Sequence, residues 1–349
     1  MIQLKGVTKQ YLYGAQVFGA LDMEIKDGEI VALLGDTGSG KTTFIKVASA
    51  VEDCDGEVLL DGNPMLTKTD DTIVLFDDLA LFDNRTFYYN LAYPLAIRGY
   101  SKQEIEDRVY SAAERLGIVA CMNDKVKKAS LIDKKRLAIS RLLIRDAKAV
   151  FVDDVTSGLD ERETRIILDE IQPILAEFSK RGASVIYSTH SREEAKSISD
   201  RIVVLHYGEV KQIGGFDEIY TSPQNVWAGE AVDEYFAFEE ATLKIVGGAL
   251  KLSLEDGKYT LDASGFDGKI IDGYLDRKIY VGWHGEDYSL SGEREESVKY
   301  SFRRGDKFVN VTESGKRVVR DKKLDRVSTL PNLSKAYLFD FENENSIIK

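Results

Sequence analysis

The chain has 349 residues, more than one hydrophobic core ordinarily supports, so one large and one small domain are expected. Hydrophobic residues make up 43% and charged residues 30%, which excludes a disordered or fibrous chain. A net charge of -12 argues against broad binding to phosphate backbones, which needs clustered Lys and Arg. No apolar run is long enough to cross a bilayer, and the start, Met1-Ile2-Gln3-Leu4-Lys5-Gly6, lacks the basic region and apolar stretch of a secretory signal. A cytoplasmic protein is the expectation. Cys54 and Cys121 show neither metal-ligand spacing nor a bridging pattern, and read as buried or idle thiols. The locally basic stretch 299–326 reads as a solvated strand face.

In chain order, the pattern predicts a strand at 29–34, a helix at 41–50 and a strand at 72–76. Helices at 102–116 and 134–144 follow, then a strand at 149–153, a helix at 161–180, and strands at 183–188 and 201–206. This alternation predicts an α/β fold around a mostly parallel sheet, interrupted by a helical insertion at about 85–145. Beyond about Tyr235 the texture changes to strand-like runs at 243–254, 258–263 and 277–283, broken by Gly, Asp and Asn. The expected organisation is thus a first domain at 1–235 and a small β domain at 236–349.

Residues 35–42 read Gly35-Asp36-Thr37-Gly38-Ser39-Gly40-Lys41-Thr42 and fit G-x-x-x-x-G-K-[ST] in full, between a predicted strand and a predicted helix. The glycines let successive N–H groups curl toward phosphate oxygens, and the helix that follows adds its positive end. Lys41 is placed to reach the β and γ phosphates and Thr42 to ligate Mg²⁺, with Thr43 continuing the site. Such a loop needs a carboxylate on a neighbouring strand. Ala149-Val150-Phe151-Val152-Asp153-Asp154 supplies one: Asp153 for the metal, and Asp154 to orient or activate water. Alone, this run reads equally as a strand ending in a helix cap.

These motifs and their order resemble an ATP-binding-cassette (ABC) protein over the first ~235 residues. Tyr11 matches the aromatic that stacks on adenine. Ser157-Gly158-Leu159-Asp160 matches the loop that contacts the facing cassette, and His190, in Ser188-Thr189-His190, matches the histidine that meets the γ-phosphate. The stretches Glu193-Glu194-Ala195, Asp200-Arg201-Ile202, Gln212-Ile213-Gly214 and Glu218 through Asn225 look like the ATPases of maltose-type and glycerol-phosphate-type importers. Val281-Gly282-Trp283-His284-Gly285-Glu286-Asp287 is similar to a motif of that group's C-terminal domain, with His284-Gly285 in place of the usual Arg-Pro, and Leu338-Phe339-Asp340 also fits. The resemblance implies a P-loop NTPase, with a RecA-like core, a helical subdomain and an OB-like C-terminal domain with dimer and regulatory contacts. It implies ATP and Mg²⁺ as cofactors, and a place on the cytoplasmic face of the membrane. The partners it implies are a second cassette, transmembrane permease subunits and, indirectly, a solute-binding protein.

Three positions depart from the family. Where LSGGQ is expected the chain reads Ala129-Ser130-Leu131-Ile132-Asp133, so the approach of backbone N–H groups to a γ-phosphate is obstructed by Leu131 and Ile132. Asp133 adds a like charge, about 4 kcal/mol of repulsion at 4 Å in a surface-like dielectric. Ser130 and Asp133 are also expected to cap the helix from Lys134. Asp77 replaces the Gln that completes the metal shell, and Asp154 replaces the catalytic Glu. Weak hydrolysis and pairing with a different, complete cassette are therefore expected. The competing reading is a regulatory subunit that clamps ATP without hydrolysing it. A nucleic-acid role is disfavoured by charge and by the lack of interleaved basic and aromatic residues. Phe82, Phe87, Tyr88 and Tyr89 are read either as a surface for a permease helix or as core.

Overall fold

The computed structural model describes residues 1–11, 14, 16–67, 69–254, 257–266, 272–290, 294–304 and 306–348. The chain divides into two compact units, Met1–Ile213 and Gly214–Lys349.

In the first unit the elements run β1 (Ile2–Gln10), β2 (Gln16–Ile25), β3 (Ile30–Leu34), α1 (Lys41–Ala48), β4 (Asp55–Leu60), β5 (Asn63–Pro64), β6 (Thr72–Leu75), α2 (Phe87–Ala96), α3 (Lys102–Arg115), α4 (Leu131–Leu143), β7 (Ala149–Asp153), α5 (Glu161–Lys180), β8 (Ser184–Thr189), α6 (Arg192–Ile198), β9 (Arg201–His206) and β10 (Glu209–Gly214). The central sheet has the order β10-β9-β3-β8-β7-β6, and β9, β3, β8, β7 and β6 pair in parallel. β3, β7 and β8 are buried along their whole length, as continuous apolar runs covered on both faces must be. Alternation divides their side chains. Ile30, Val150, Val152 and Val185 face a core shared with α2 to α5, while Val31, Leu33, Phe151 and Ile186 face a second core with α1 and the antiparallel sheet β2-β1-β4-β5.

The helical insertion holds α2, α3 and α4. Ser101 opens α3 with a full capping box, and Arg136 of α4 donates to Glu170 of α5, Nη2 to Oε1 at 2.6 Å. α4 starts at Leu131, three residues before the expected Lys134, because Ser130 is its N-cap and accepts from the Asp133 N–H. Phe87 is core, whereas Phe82 is 45% exposed and joins Tyr89 and Tyr93 in an aromatic cluster with centroids 5.3 to 5.9 Å apart. The expectation of a surface thus describes Phe82, and that of core describes Phe87.

The second unit is strand-rich, in keeping with an OB-like domain. It opens with α7 (Phe216–Thr221) and α8 (Val226–Val232) and continues as β11 (Ala237–Val246), β12 (Ala249–Leu254), β13 (Tyr259–Asp262), β14 (Lys278–Trp283), β15 (Glu295–Arg304), β16 (Lys307–Thr312), β17 (Arg317–Arg320), β18 (Arg326–Ser328), β19 (Tyr337–Asp340) and β20 (Ser346–Ile348). Two sheets form, β13-β12-β11-β14-β19-β20 and β17-β16-β15-β18. The boundary falls about twenty residues ahead of the expected one near 235, since α7 and α8 pack with the strands. Val226 shares an apolar cluster with Phe236, Tyr337 and Phe339, and Tyr220 stacks on His284 at 3.9 Å. In the basic stretch, Arg304 and Arg317 pair with Glu234, Lys307 with Glu286 and Lys316 with Glu239. Among the described residues no helix is long and apolar enough to cross a membrane.

Candidate functional site

The phosphate loop links β3 to α1. Gly38 and Gly40 take φ of +84° and +103°, conformations that side chains strain, and Gly40 is the N-cap of α1. Gly35 is needed for a different reason: a Cβ there would lie 2.2 Å from the Leu205 carbonyl oxygen of β9. Gly35→Ala is therefore expected to displace the loop and lower stability by about 1–3 kcal/mol, measurable by urea denaturation, with ATP binding lost in parallel. Ser39 is buried, its N–H donating to Asp36 O at 3.1 Å and its carbonyl accepting from Gly208 at 3.0 Å. Lys41 is 9% exposed, and its ammonium donates to the carbonyls of Gly35 at 2.6 Å and Asp36 at 2.9 Å. Burial pulls that ammonium below its ordinary pKa, against the opposing pull of Asp154, Asp153 and Asp36.

Asp153 ends β7 beneath this loop, 1% exposed. Its Oδ1 accepts from the Ser188 hydroxyl of β8, while Oδ2 is buried with no hydrogen-bond partner. Burial pushes its carboxyl above the ordinary value; the Ser188 and Thr42 hydroxyls oppose this, and the charges of Asp77 and Asp154 add to it. Asp154 turns the chain at φ +41°, a region Asp tolerates better than most residues, and its N–H donates to Ser188 O and Oγ, both at 3.2 Å. Asp154 Oδ1 stands 3.4 Å from His190 Nδ1, whose ring is largely exposed. Asp77 is exposed, its Oδ1 accepting from the Asp78 N–H at 2.9 Å.

Tyr11 donates from its hydroxyl to Glu52 at 2.7 Å and lies 3.4 Å from the Thr43 hydroxyl, beside the start of α1. Asp160 forms a capping box with Glu163 at the head of α5. At the degenerate signature, the Ser130 hydroxyl donates to Asp133 at 2.6 Å, Ile132 packs on the core, and Leu131 reaches the αL residue Gly158, where an added Cβ would meet it at 3.2 Å. The structure thus groups Lys41, Thr42, Asp153, Asp154, Asp77 and His190 around one corner of the sheet, at the C-terminal ends of its strands. Asp36, Thr37 and Gly38 line the exposed crest of the loop.

Three contributors are not evident from motifs. Ser188 fixes both Asp153 and Asp154. Lys135 is 2% exposed, its charge felt by Asp154 and Asp77, and burial lowers its pKa. Its position on the apolar stripe Ile132, Lys135, Ile139, Leu142 was the available signal. Arg141, also without a carboxylate partner among the described hydrogen bonds, donates to the carbonyls of Leu79 and Ala80 at 3.0 and 2.9 Å, and burial lowers its pKa to about 10.

Residues 18–157 match the ABC transporter family. A spermidine/putrescine import ATP-binding protein PotA of Mycoplasma mycoides is 30% identical over 276 residues, 78% of this chain and 73% of its own length. The chain belongs to the ABC transporter ATP-binding family. An sn-glycerol-3-phosphate import ATP-binding protein UgpC of Cupriavidus pinatubonensis is 32% identical over 233 residues, covering 65% of this ABC protein and 62% of its own length. Among solved structures, cbiO1 of Clostridium perfringens, part of the ABC transporter complex cbiONQ, shares 25% identity with a TM-score of 0.55 over 63% of this chain and 90% of that one. A dimeric post-hydrolysis state of the ATP-binding cassette MJ0796, bound to ADP and Pi, shares 25% identity with a TM-score of 0.56 over 62% and 98%.

As an ABC ATPase the chain works with ATP and Mg²⁺, and its residues fit the pair. The buried, unpartnered Asp153 Oδ2 beside the Thr42 hydroxyl is the acceptor a hard divalent cation needs. The left-handed glycines let the loop backbone take the curl in which its N–H groups can face a phosphate. Among the described residues no cluster of three or more His, Cys, Asp or Glu could hold a metal.

Proposed function

We propose that this chain energises an ABC importer for a carbohydrate or related small polar solute, as a peripheral subunit on the cytoplasmic face of the membrane. The importer relatives PotA and UgpC support that reading. The buried Asp153 oxygen beneath the phosphate loop is the observation that carries it. Lys41 and the N–H groups of 35–43 hold the phosphates, Thr42 and Asp153 hold Mg²⁺ with Asp77 at its rim, and Tyr11 stacks on adenine. Mg²⁺ neutralises phosphate charge when bound. Asp154 orients the attacking water and His190 contacts the γ-phosphate. Permease subunits dock by Phe82, Tyr89 and Tyr93, and selectivity rests with the permease and a solute-binding protein.

The cassette facing it is a different chain. Leu131 and Ile132 lie in the first turn of α4 with side chains where a signature presents glycine, and Asp160 belongs to the loop that meets the partner. Ile132 packs on the core, but a homodimer would set the exposed Leu131 against both nucleotides. The test is ATP turnover by the full-length chain alone and in the complex recovered from membranes. The expected result is turnover at least about 100-fold faster in the complex, whose second cassette carries a full signature. Turnover by the isolated chain at the rate of the complex would remove the motive for a heterodimer. A regulatory subunit is the second reading, favoured by Asp154 in place of Glu; turnover unchanged by Asp154 substitution in the complex would select it.

Lys41→Ala supplies a further check. Two charge-assisted contacts of about 1.5–3 kcal/mol each are removed, so affinity for Mg·ATP is expected to fall at least about 100-fold by fluorescence titration.

A further inference from the structure

Glu194, in the first turn of α6, is 4% exposed and has no ion-pair partner among the described residues. Three hydroxyls satisfy it instead. Thr156 donates to Oε1 at 2.8 Å, and Tyr187 and Thr189 donate to Oε2 at 2.8 and 2.9 Å. A buried charged or polar group is tolerated only when its hydrogen bonds are made, so these donors are held in place as firmly as the carboxylate itself. Their positions in the chain give the network meaning. Thr156 lies two residues after Asp154 and directly before the loop Ser157-Gly158-Leu159-Asp160, and Thr189 directly precedes His190.

We propose that Glu194 is a positioning residue that locks the segment carrying Asp154 to the segment carrying His190, so that the two loops move as one body. β7 and β8 are parallel neighbours, with Asp153 beside Ser188, and the two loops leave the sheet at the same edge. Two ties join them there. Ser188 accepts the Asp154 N–H at the strand ends, and Glu194 bridges Thr156 and Thr189 farther out. Thr189 extends the second tie, because its Oγ1 accepts the Ser191 N–H at 2.9 Å, and Ser191 in turn caps the helix that carries Glu194. The 3.4 Å spacing of Asp154 and His190 is set between these ties. The proposal rests on the reading that Asp154 and His190 serve ATP hydrolysis, yet the mechanical linkage exists without nucleotide.

Glu194→Gln keeps the shape but puts an NH₂ donor where three O–H donors converge, so at least one hydroxyl must turn away. Hydrogen–deuterium exchange of the full-length chain reads the linkage directly. In the variant, amides of both 154–160 and 188–193 are expected to exchange at least about tenfold faster, while β3, β7 and β9 stay protected. Thr156→Val, which leaves the bonds from Tyr187 and Thr189 intact, is expected to loosen 188–193 as well as its own loop. Loosening confined to the segment that carries the substitution, in either variant, overturns the proposal. So does an unchanged exchange pattern. In the transporter complex, Glu194→Gln is expected to lower kcat at least about tenfold with Mg·ATP affinity within about twofold, a split that general destabilisation would not give. Wild-type protein unable to bind ATP would sink the functional reading, while the exchange experiment would still decide the linkage.

Discussion

Asp154→Asn is expected to lower ATP turnover of the transporter complex by about 10²- to 10⁴-fold, the usual contribution of a positioned general base, and to leave Mg·ATP affinity within about twofold. Asn is isosteric with Asp and shares its tolerance of positive φ, so the turn at φ +41° and its bonds to Ser188 persist. What the variant loses is the negative charge 3.4 Å from His190 and the ability to accept a proton. Asp154→Glu moves the carboxyl outward by one methylene. If the short side chain limits the rate, as a displacement of about 1 Å can by about 10²-fold, this variant turns over faster than wild type. Single-turnover cleavage of radiolabelled ATP by the complex measures both variants.

Asp153→Asn is expected to separate stability from function. In the absence of nucleotide the wild-type carboxylate is buried with Oδ2 unpartnered, beside the like charges of Asp77 and Asp154, and removing that charge relieves about 1–3 kcal/mol. For a unit of this size each kcal/mol moves Tm by about 2–4 °C, so the variant melts several degrees higher by calorimetry without nucleotide. In the presence of Mg²⁺ its ATP affinity falls about 100-fold, to the value wild type shows in EDTA. A variant that melted lower while keeping its response to Mg²⁺ would place the metal away from Asp153.

The phosphate loop is legible because Gly38 and Gly40 answer a local demand, positive φ, whereas the reason for Gly35, the approach of Leu205 from β9, is tertiary. Asp153 was legible because strands buried on both faces read as unbroken apolar runs, and a charge at the end of one stands out. The apolar pattern starts the helix at Lys134 because Leu131 and Ile132 carry no helix-start signal of their own, whereas the cap at Ser130 starts α4 at Leu131. The boundary at Gly214 escaped composition, since α7 and α8 look like the helices before them and declare their allegiance only through Val226, Tyr220 and His284. Glu194 matches a family phrase, but its partners are isolated hydroxyls from two segments, β8 and the loop after β7, which only the pairing of β7 with β8 assembles. Phe82 and Phe87 differ in fate because α2 turns Phe87 inward and Phe82 precedes it.

Isothermal titration of the chain with ATP, in Mg²⁺ and then in EDTA, reads nucleotide uptake by the phosphate loop itself. Saturable binding of one nucleotide per chain, weakened about 100-fold by EDTA and at least about 100-fold by Lys41→Ala, is the predicted result. Absence of binding at millimolar ATP and Mg²⁺, or binding indifferent to both EDTA and Lys41→Ala, would contradict it.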